Sequence, residues 1–168
     1  DDFDIYFTEG RRLQSVYEGE IEIGLGVECG YNPDHFERLK TRLARRAWDQ
    51  IGISCHFLKI EGMPQHLNMF SSKKENILLA RKIGTEQILD HYFTTLTEAV
   101  RCLPGTMLCH LDGALRFLPE LSLTESHYRL IDNLLQAVSD KMLAVEINSS
   151  GFAIRQEQFP NRRILTLA

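Results

Sequence analysis

The sequence lacks the long apolar run that a membrane-spanning helix needs. No stretch of its 168 residues approaches the ~20 apolar positions required to cross a bilayer. The N-terminus also lacks the charged and then apolar pattern of a secretory signal. We therefore expect a cytoplasmic protein with no membrane partner. The first residue is Asp1 rather than methionine, and we expect these residues to be part of a longer chain.

Two nucleotide-binding motifs are also absent. No Gly-x-Gly-x-x-Gly fingerprint and no phosphate-cradling Gly-Lys-Ser/Thr loop follows a predicted strand, which disfavours a nucleotide-binding sheet. The chain has no excess of positive charge, since its formal net charge is -4. A protein that binds nucleic acid by neutralising phosphates presents a basic face. We therefore do not expect nucleic acid as a partner, and we interpret the basic residues between positions 38 and 46 as one solvated helix face.

Cysteine is sparse, and its spacing is irregular. The four cysteines are Cys29, Cys55, Cys102 and Cys109, which form no dense disulfide framework. Free thiols in a reducing compartment are the simpler interpretation. Two of the four nevertheless stand directly before a histidine, in Cys55-His56 and Cys109-His110. Each pair could supply metal ligands or a thiol nucleophile with its base, or could be coincidental.

Hydrophobic periodicity predicts four helices that alternate with four strands. The helices are predicted at 3–17, 35–48, 84–103 and 124–141, with Thr85 and Thr124 as N-caps of the last two. The strands are predicted at 21–29, 49–57, 106–112 and 142–150. A polar insertion from Gly62 to about Asn76 has the character of an active-site loop. Regular alternation of this kind favours a parallel α/β sheet, either open or closed into a barrel.

Polar side chains follow the end of every predicted strand. They are Glu28, His56, His110 with Asp112, and Glu146 with Asn148. In α/β barrels, functional groups converge at the C-terminal ends of the strands. One carboxylate and two imidazoles, from Glu28, His56 and His110, would suit zinc, manganese or iron and leave positions open for water or substrate. A structural role for each histidine, held by hydrogen bonds, is the competing interpretation.

Strand alternation separates each cysteine from its neighbouring candidate ligand. Successive side chains of a strand point to opposite faces. If Glu28, His56 and His110 face the site, then Cys29, Cys55 and Cys109 are expected to pack against the helix layer. The alternation argues against a cysteine-dependent hydrolase, which remains a rival hypothesis.

Four segments resemble, in order and spacing, the PHP (polymerase and histidinol phosphatase) superfamily, specifically its histidinol-phosphatase-like members. They are "GLGVECGY", "IGISCHFL", "CHLDGALRF" and "AVEINSSGF". The resemblance implies a distorted seven-stranded barrel of the PHP type with divalent metal ions at the strand ends. It implies that Glu28 bridges two metals and that His56 and His110 bind one of them.

The same resemblance implies further site residues and a reaction. Asp112 and Arg116 are expected on the catalytic rim, with Arg116 contacting a substrate phosphate. Asn148 and Glu146 are expected to shape the wall of the substrate pocket. The implied activity is hydrolysis of a small phosphate monoester by a metal-activated water. The implied substrate is L-histidinol phosphate, in histidine biosynthesis.

The sequence departs from the family pattern at both ends. It lacks the N-terminal His-x-His strand and the late Asp-x-His strand of the family. We therefore expect residues 1–168 to form a single PHP-like domain that is incomplete at both ends and is weakly active or inactive alone. The exposed strand edges of a partial barrel would favour a homo-oligomer. A non-catalytic PHP-like module and a PHP nuclease are the remaining alternatives.

Overall fold

The computed structural model describes residues 2–118 and 121–168. Its helices are α1 (Asp2–Val16), α2 (Phe36–Leu43), α3 (Lys74–Ile83), α4 (Thr85–Cys102), α5 (Glu125–Asp140), α6 (Gly151–Arg155) and α7 (Arg162–Leu167). Its strands are β1 (Gly26–Gly30), β2 (Gln50–Ser54), β3 (Phe57–Leu58), β4 (Leu67–Asn68), β5 (Met107–Leu108) and β6 (Ala144–Val145). No helix in these two ranges is long and apolar enough to cross a membrane.

Four of the strands form one parallel sheet in the order β1-β2-β5-β6. In register, Glu28 lies beside Gly52, Ile53 beside Leu108, and Leu108 beside Val145. Helices connect these strands, so the predicted α/β fold with a parallel sheet is confirmed. The described sheet is open, which corresponds to part of a barrel.

The main core lies between the sheet and the paired helices α4 and α5. Ile88, Tyr92, Leu96 and Ala99 of α4 repeat at helical spacing and are fully buried. This apolar stripe packs against α5 and against the outer face of the sheet. α4 is therefore buried over most of its length.

Gly10 allows α1 to pack closely against the sheet. The helix forms over nearly the predicted range, although glycine lowers helix propensity. Gly10 is the buried residue of α1, and a methyl group there would overlap the side chain of Leu25. Nearer the start of α1, the ring of Trp48 packs against Phe3 and Phe7. The close approach of α1 to Leu25 explains why glycine, which weakens a helix, occupies position 10.

The helix caps follow the prediction in one case and not in the other. Thr124 caps α5, and its capping box is completed by the side chain of His127. Thr85 is wrong as an N-cap, because it is already the first residue of α4. The cap position is Gly84, whose φ of 108° suits glycine.

Several element boundaries also differ from the prediction. The first strand begins at Gly26 rather than Ile21, because its partner β2 starts at Gln50 and gives the earlier residues nothing to pair with. The predicted polar insertion contains the β3-β4 hairpin and leads into α3, a helix that the sequence pattern did not indicate. The predicted fourth strand shortens to β6, and Asn148 forms an antiparallel bridge with Phe159 instead.

Candidate metal centre

Glu28 and His56 meet where β1 and β2 end. Glu28 points to the face of the sheet that also carries Gly52, its register partner. A methyl group on Gly52 would lie 3.7 Å from Glu28 Cγ, at ordinary contact distance. His56 follows two residues after β2, and its Nε2 lies 2.9 Å from Glu28 Oε1. The two side chains are thus paired through neighbouring parallel strands.

His110 joins this pair from the end of β5. Its Nδ1 lies 3.7 Å from Glu28 Oε1, and its ring centroid lies 5.5 Å from that of His56. One ligand atom from each of these three residues lies within 4.8 Å of the other two. The structure therefore brings together the carboxylate and two imidazoles that the sequence placed at separate strand ends.

The donor set fits a divalent metal ion. Ligand atoms of a tetrahedral site with bonds of about 2.1 Å lie about 3.4 Å apart, close to the distances between Glu28 and the two histidines. His110 Nδ1 is buried and makes no hydrogen bond among the described residues, as expected for a nitrogen kept for a ligand. Burial lowers the pKa of His56, with Glu28 opposing the shift, so the neutral imidazole that binds metals is favoured. Glu28, His56 and His110 could therefore hold zinc, manganese or iron.

Phe70 covers the two imidazoles from one side. Its ring centroid lies 4.7 Å from that of His56 and 5.2 Å from that of His110. A methyl group on Gly113 would clash with the Phe70 ring, so the glycine leaves room for it. Phe70 belongs to the polar insertion, which therefore borders the candidate site. The residue itself was missed, because nothing in its local sequence marks it.

Two of the three cysteines expected to pack away from the site do so. Cys29 lies in the cluster with Leu43 and Ile53, and Cys55 packs in the main core. Both thiols are buried, and burial raises the pKa of Cys29 to about 11 and that of Cys55 to about 12. Neither is placed to act as a nucleophile.

The prediction for Cys109 is wrong. Met107 is in register with Gly52, so Cys109, two residues later, lies on the same face as Glu28. Its Sγ is 2.6 Å from the position that a Gly52 methyl group would occupy. Alternation fails to separate Cys109 from His110 because β5 ends at Leu108 and His110 adopts a positive φ of 52°. The thiol is nevertheless buried, and burial raises its pKa to about 12, which disfavours thiolate chemistry.

Glu146 and Asn148 form the wall beside His110. Glu146 Oε2 accepts a hydrogen bond from the His110 backbone N–H at 2.9 Å and lies 3.7 Å from His110 Nε2. Asn148 Nδ2 donates to Glu146 Oε1 at 3.4 Å, and Asn148 Oδ1 accepts from the Ser150 N–H. Arg116 Nη1 donates to Ser150 Oγ at 2.9 Å. A continuous polar chain therefore runs from the His110 backbone to the Arg116 guanidinium.

Asp112 lies beneath this chain and is completely buried. Its Oδ2 accepts a hydrogen bond from the Asn161 backbone N–H at 2.8 Å, which ties the start of α7 to the site loop. Burial raises the pKa of Asp112 to about 6, and Oδ1 has no partner among the described residues. With no exposed surface, the carboxylate holds the segment before α7.

His66, the histidine of the polar insertion, lies apart from the three candidate ligands. His66 Nε2 is 3.6 Å from Asp34 Oδ2, and Asp34 also pairs with Lys59. His66 therefore belongs to a separate surface cluster beside the short turn at Pro33–His35.

The fold has a solved counterpart. It matches a crystal structure of histidinol phosphate phosphatase from Lactococcus lactis subsp. lactis Il1403, complexed with zinc, L-histidinol and phosphate, with a TM-score of 0.71. The match covers 90% of this chain at 21% sequence identity and 55% of that protein. This chain thus spans about half the length of its structural counterpart, and the likeness at this identity establishes the fold.

Sequence comparison gives the family. No curated protein matches the sequence significantly. The PHP domain profile matches residues 1–150, which is most of the chain and includes Glu28, His56 and His110. The chain therefore belongs to the PHP domain family.

Proposed function

We propose that this chain is part of a metal-dependent phosphoesterase that hydrolyses small phosphate monoesters. The observation that carries the proposal is the convergence of Glu28, His56 and His110 within 4.8 Å at the ends of three parallel strands. Membership of the PHP family supports it independently. The exposed fractions of Glu28 and His56, 41% and 34%, leave one side of the group open to substrate.

We assign a separate role to each group of side chains at the candidate site. Glu28, His56 and His110 would hold a divalent ion, which when bound polarises phosphoryl oxygens and acidifies water. Arg116 would bind the phosphate through its planar fork, since no acidic partner occupies it in the described part of the chain. Asn148 and Glu146 would orient that arginine through Ser150 and border the substrate pocket.

Histidinol phosphate is our proposed substrate. Its support is the fold of the structural counterpart, which was crystallised with L-histidinol and phosphate. Three ligands cluster among the described residues, which suits one ion, whereas phosphatases that clamp both attacking and leaving oxygens use two metals. We therefore expect residues 1–168 alone to turn over substrate slowly.

The test is an assay of the purified chain with p-nitrophenyl phosphate and histidinol phosphate, with zinc or manganese added. We expect slow, chelator-sensitive hydrolysis that His56→Ala abolishes. The matched control is His91→Ala, because His91 is an exposed histidine on α4. Hydrolysis that persists in chelator or in His56→Ala would overturn the proposal. Metal binding without any turnover would favour a non-catalytic PHP module instead.

Substitution of Arg116 provides a second test of the proposed function. Arg116→Lys keeps the charge but loses the fork, so the KM for p-nitrophenyl phosphate should rise about tenfold or more. Arg129→Lys, an exposed substitution on α5, should leave KM unchanged. An unchanged KM in Arg116→Lys would remove this arginine from the phosphate site.

A further inference from the structure

His110 adopts a backbone conformation that its surroundings must hold. Its φ of 52° lies in the left-handed region, which non-glycine residues rarely occupy. Met142 and Gln156 share this feature among the described non-glycine residues, and each lies in the turn that ends a helix. His110 instead stands directly beyond a strand, at the candidate metal centre.

Side chains bind both polar groups of the His110 backbone. The N–H donates to Glu146 Oε2, as described above. The carbonyl oxygen accepts a hydrogen bond of 2.6 Å from the Tyr92 hydroxyl and one of 2.8 Å from the Gly113 N–H. The histidine is thus fixed from the neighbouring strand by Glu146 and from the core by Tyr92.

Tyr92 is suited to fix the carbonyl firmly. It is fully buried in the middle of α4 and packs edge-on against Phe93, with ring centroids 5.5 Å apart. This packing leaves its ring little freedom. Its hydroxyl points out of the apolar face of α4 to the His110 carbonyl. A rigid donor of this kind restrains the direction in which the His110 side chain leaves the backbone.

The direction of that side chain determines the geometry of the metal centre. The restrained backbone places His110 Nδ1, buried and without a hydrogen-bond partner among the described residues, 3.7 Å from Glu28 Oε1. Rotation of the peptide would carry the imidazole away from Glu28 and leave His56 with the carboxylate alone. Groups that orient ligands commonly change metal affinity by about 10- to 100-fold.

We propose that Tyr92 is a positioning residue for the metal centre, acting through the His110 carbonyl. This inference rests on the proposed function for its metal-binding readout. The Tyr92 hydroxyl binds the backbone of His110 rather than a candidate ligand atom. Its hydroxyl selects the left-handed conformation that presents His110 to Glu28.

The test is Tyr92→Phe, which keeps the buried ring and removes only the hydroxyl. We expect zinc affinity, measured by titration calorimetry, to fall about tenfold or more, and the absorption spectrum of the cobalt-substituted protein to change. The matched control is Tyr31→Phe, because Tyr31 is also buried, in the cluster with Cys29, Leu43 and Ile53, and its hydroxyl interacts with the exposed Glu98. That variant should bind zinc and cobalt as the unmodified chain does. A folded Tyr92→Phe protein with unchanged zinc affinity and cobalt spectrum would overturn the proposal.

Crystal structures of the metal-free proteins separate this inference from the proposed function. In Tyr92→Phe we expect His110 to leave the left-handed region and its ring to move away from Glu28. Unchanged coordinates at His110 would refute the positioning role whether or not metal binds. If the unmodified chain binds no divalent metal, the proposed function fails, and the comparison of His110 in the two crystals still decides the role of Tyr92.

Discussion

Glu28 on β1 and His56, two residues beyond the end of the neighbouring parallel strand β2, are in contact, with Glu28 Oε1 2.9 Å from His56 Nε2. Gly52, the register partner of Glu28, has no side chain and leaves room for Cys109 Sγ, which lies 2.6 Å from the position of a Gly52 methyl group. His110 then approaches the same oxygen from the third strand. The candidate site is therefore a direct product of strand register.

The first prediction concerns Gly52 and Cys109. Gly52→Ala should destabilise the fold by about 1–3 kcal/mol, because the new methyl group would lie 2.6 Å from Cys109 Sγ in a packed region. Urea denaturation of the metal-free protein measures the change. The double variant Gly52→Ala/Cys109→Ala should lose less stability than the two single changes added together, since removing the sulfur makes room. Strict additivity would show that the two residues do not clash.

The second prediction concerns Phe70. Phe70→Ala should expose both imidazoles and lower the free energy of unfolding by about 2 kcal/mol, less than for a fully buried phenylalanine. Transfer of bound zinc to a chromogenic chelator should become several-fold faster, because water and chelator reach the ion more easily. Phe57→Ala, at a ring that is already 48% exposed, is the control. Equal transfer rates in both variants would mean that Phe70 does not shield the site.

The third prediction concerns the thiols. Only Cys102 is exposed, whereas burial raises the pKa of Cys29, Cys55 and Cys109 to about 11, 12 and 12. Since the thiolate is the reactive form, a disulfide reagent at pH 8 should modify one thiol rapidly and all four only in denaturant. Modification of Cys102 should leave zinc binding and phosphatase activity unchanged. Rapid reaction of a second thiol, with loss of activity, would revive the cysteine-hydrolase hypothesis.

The alternation of helices with the four parallel strands, and the polar residues near the ends of those strands, were predictable from the sequence because both depend on local patterns. Alternating apolar periods gave the βα succession, and the polar residue after each strand located Glu28, His56 and His110. The same logic oriented Cys29 and Cys55 correctly, because Cys29 lies within β1 and Cys55 directly follows β2.

The features that the sequence did not predict depend on tertiary contacts, which local sequence patterns do not encode. Cys109 was misplaced because the orientation of its neighbour reflects the left-handed backbone of His110, which Glu146 and Tyr92 hold from distant positions. From the sequence, Tyr92 was recognised only as one of the apolar residues on a helix face. Phe70 reaches the imidazoles through the β3-β4 hairpin, whose two-residue strands are too short for a periodic signal.

The most direct test of the account is the amount of zinc that the purified chain binds after dialysis, measured by elemental analysis. We predict close to one ion per chain, and a large loss of bound zinc in Glu28→Gln and in His110→Ala. Glu22→Gln, at an exposed glutamate before β1, should retain the ion. Zinc that stays bound in both site variants, or a folded chain that binds none, would contradict the assignment of Glu28, His56 and His110 as the metal centre.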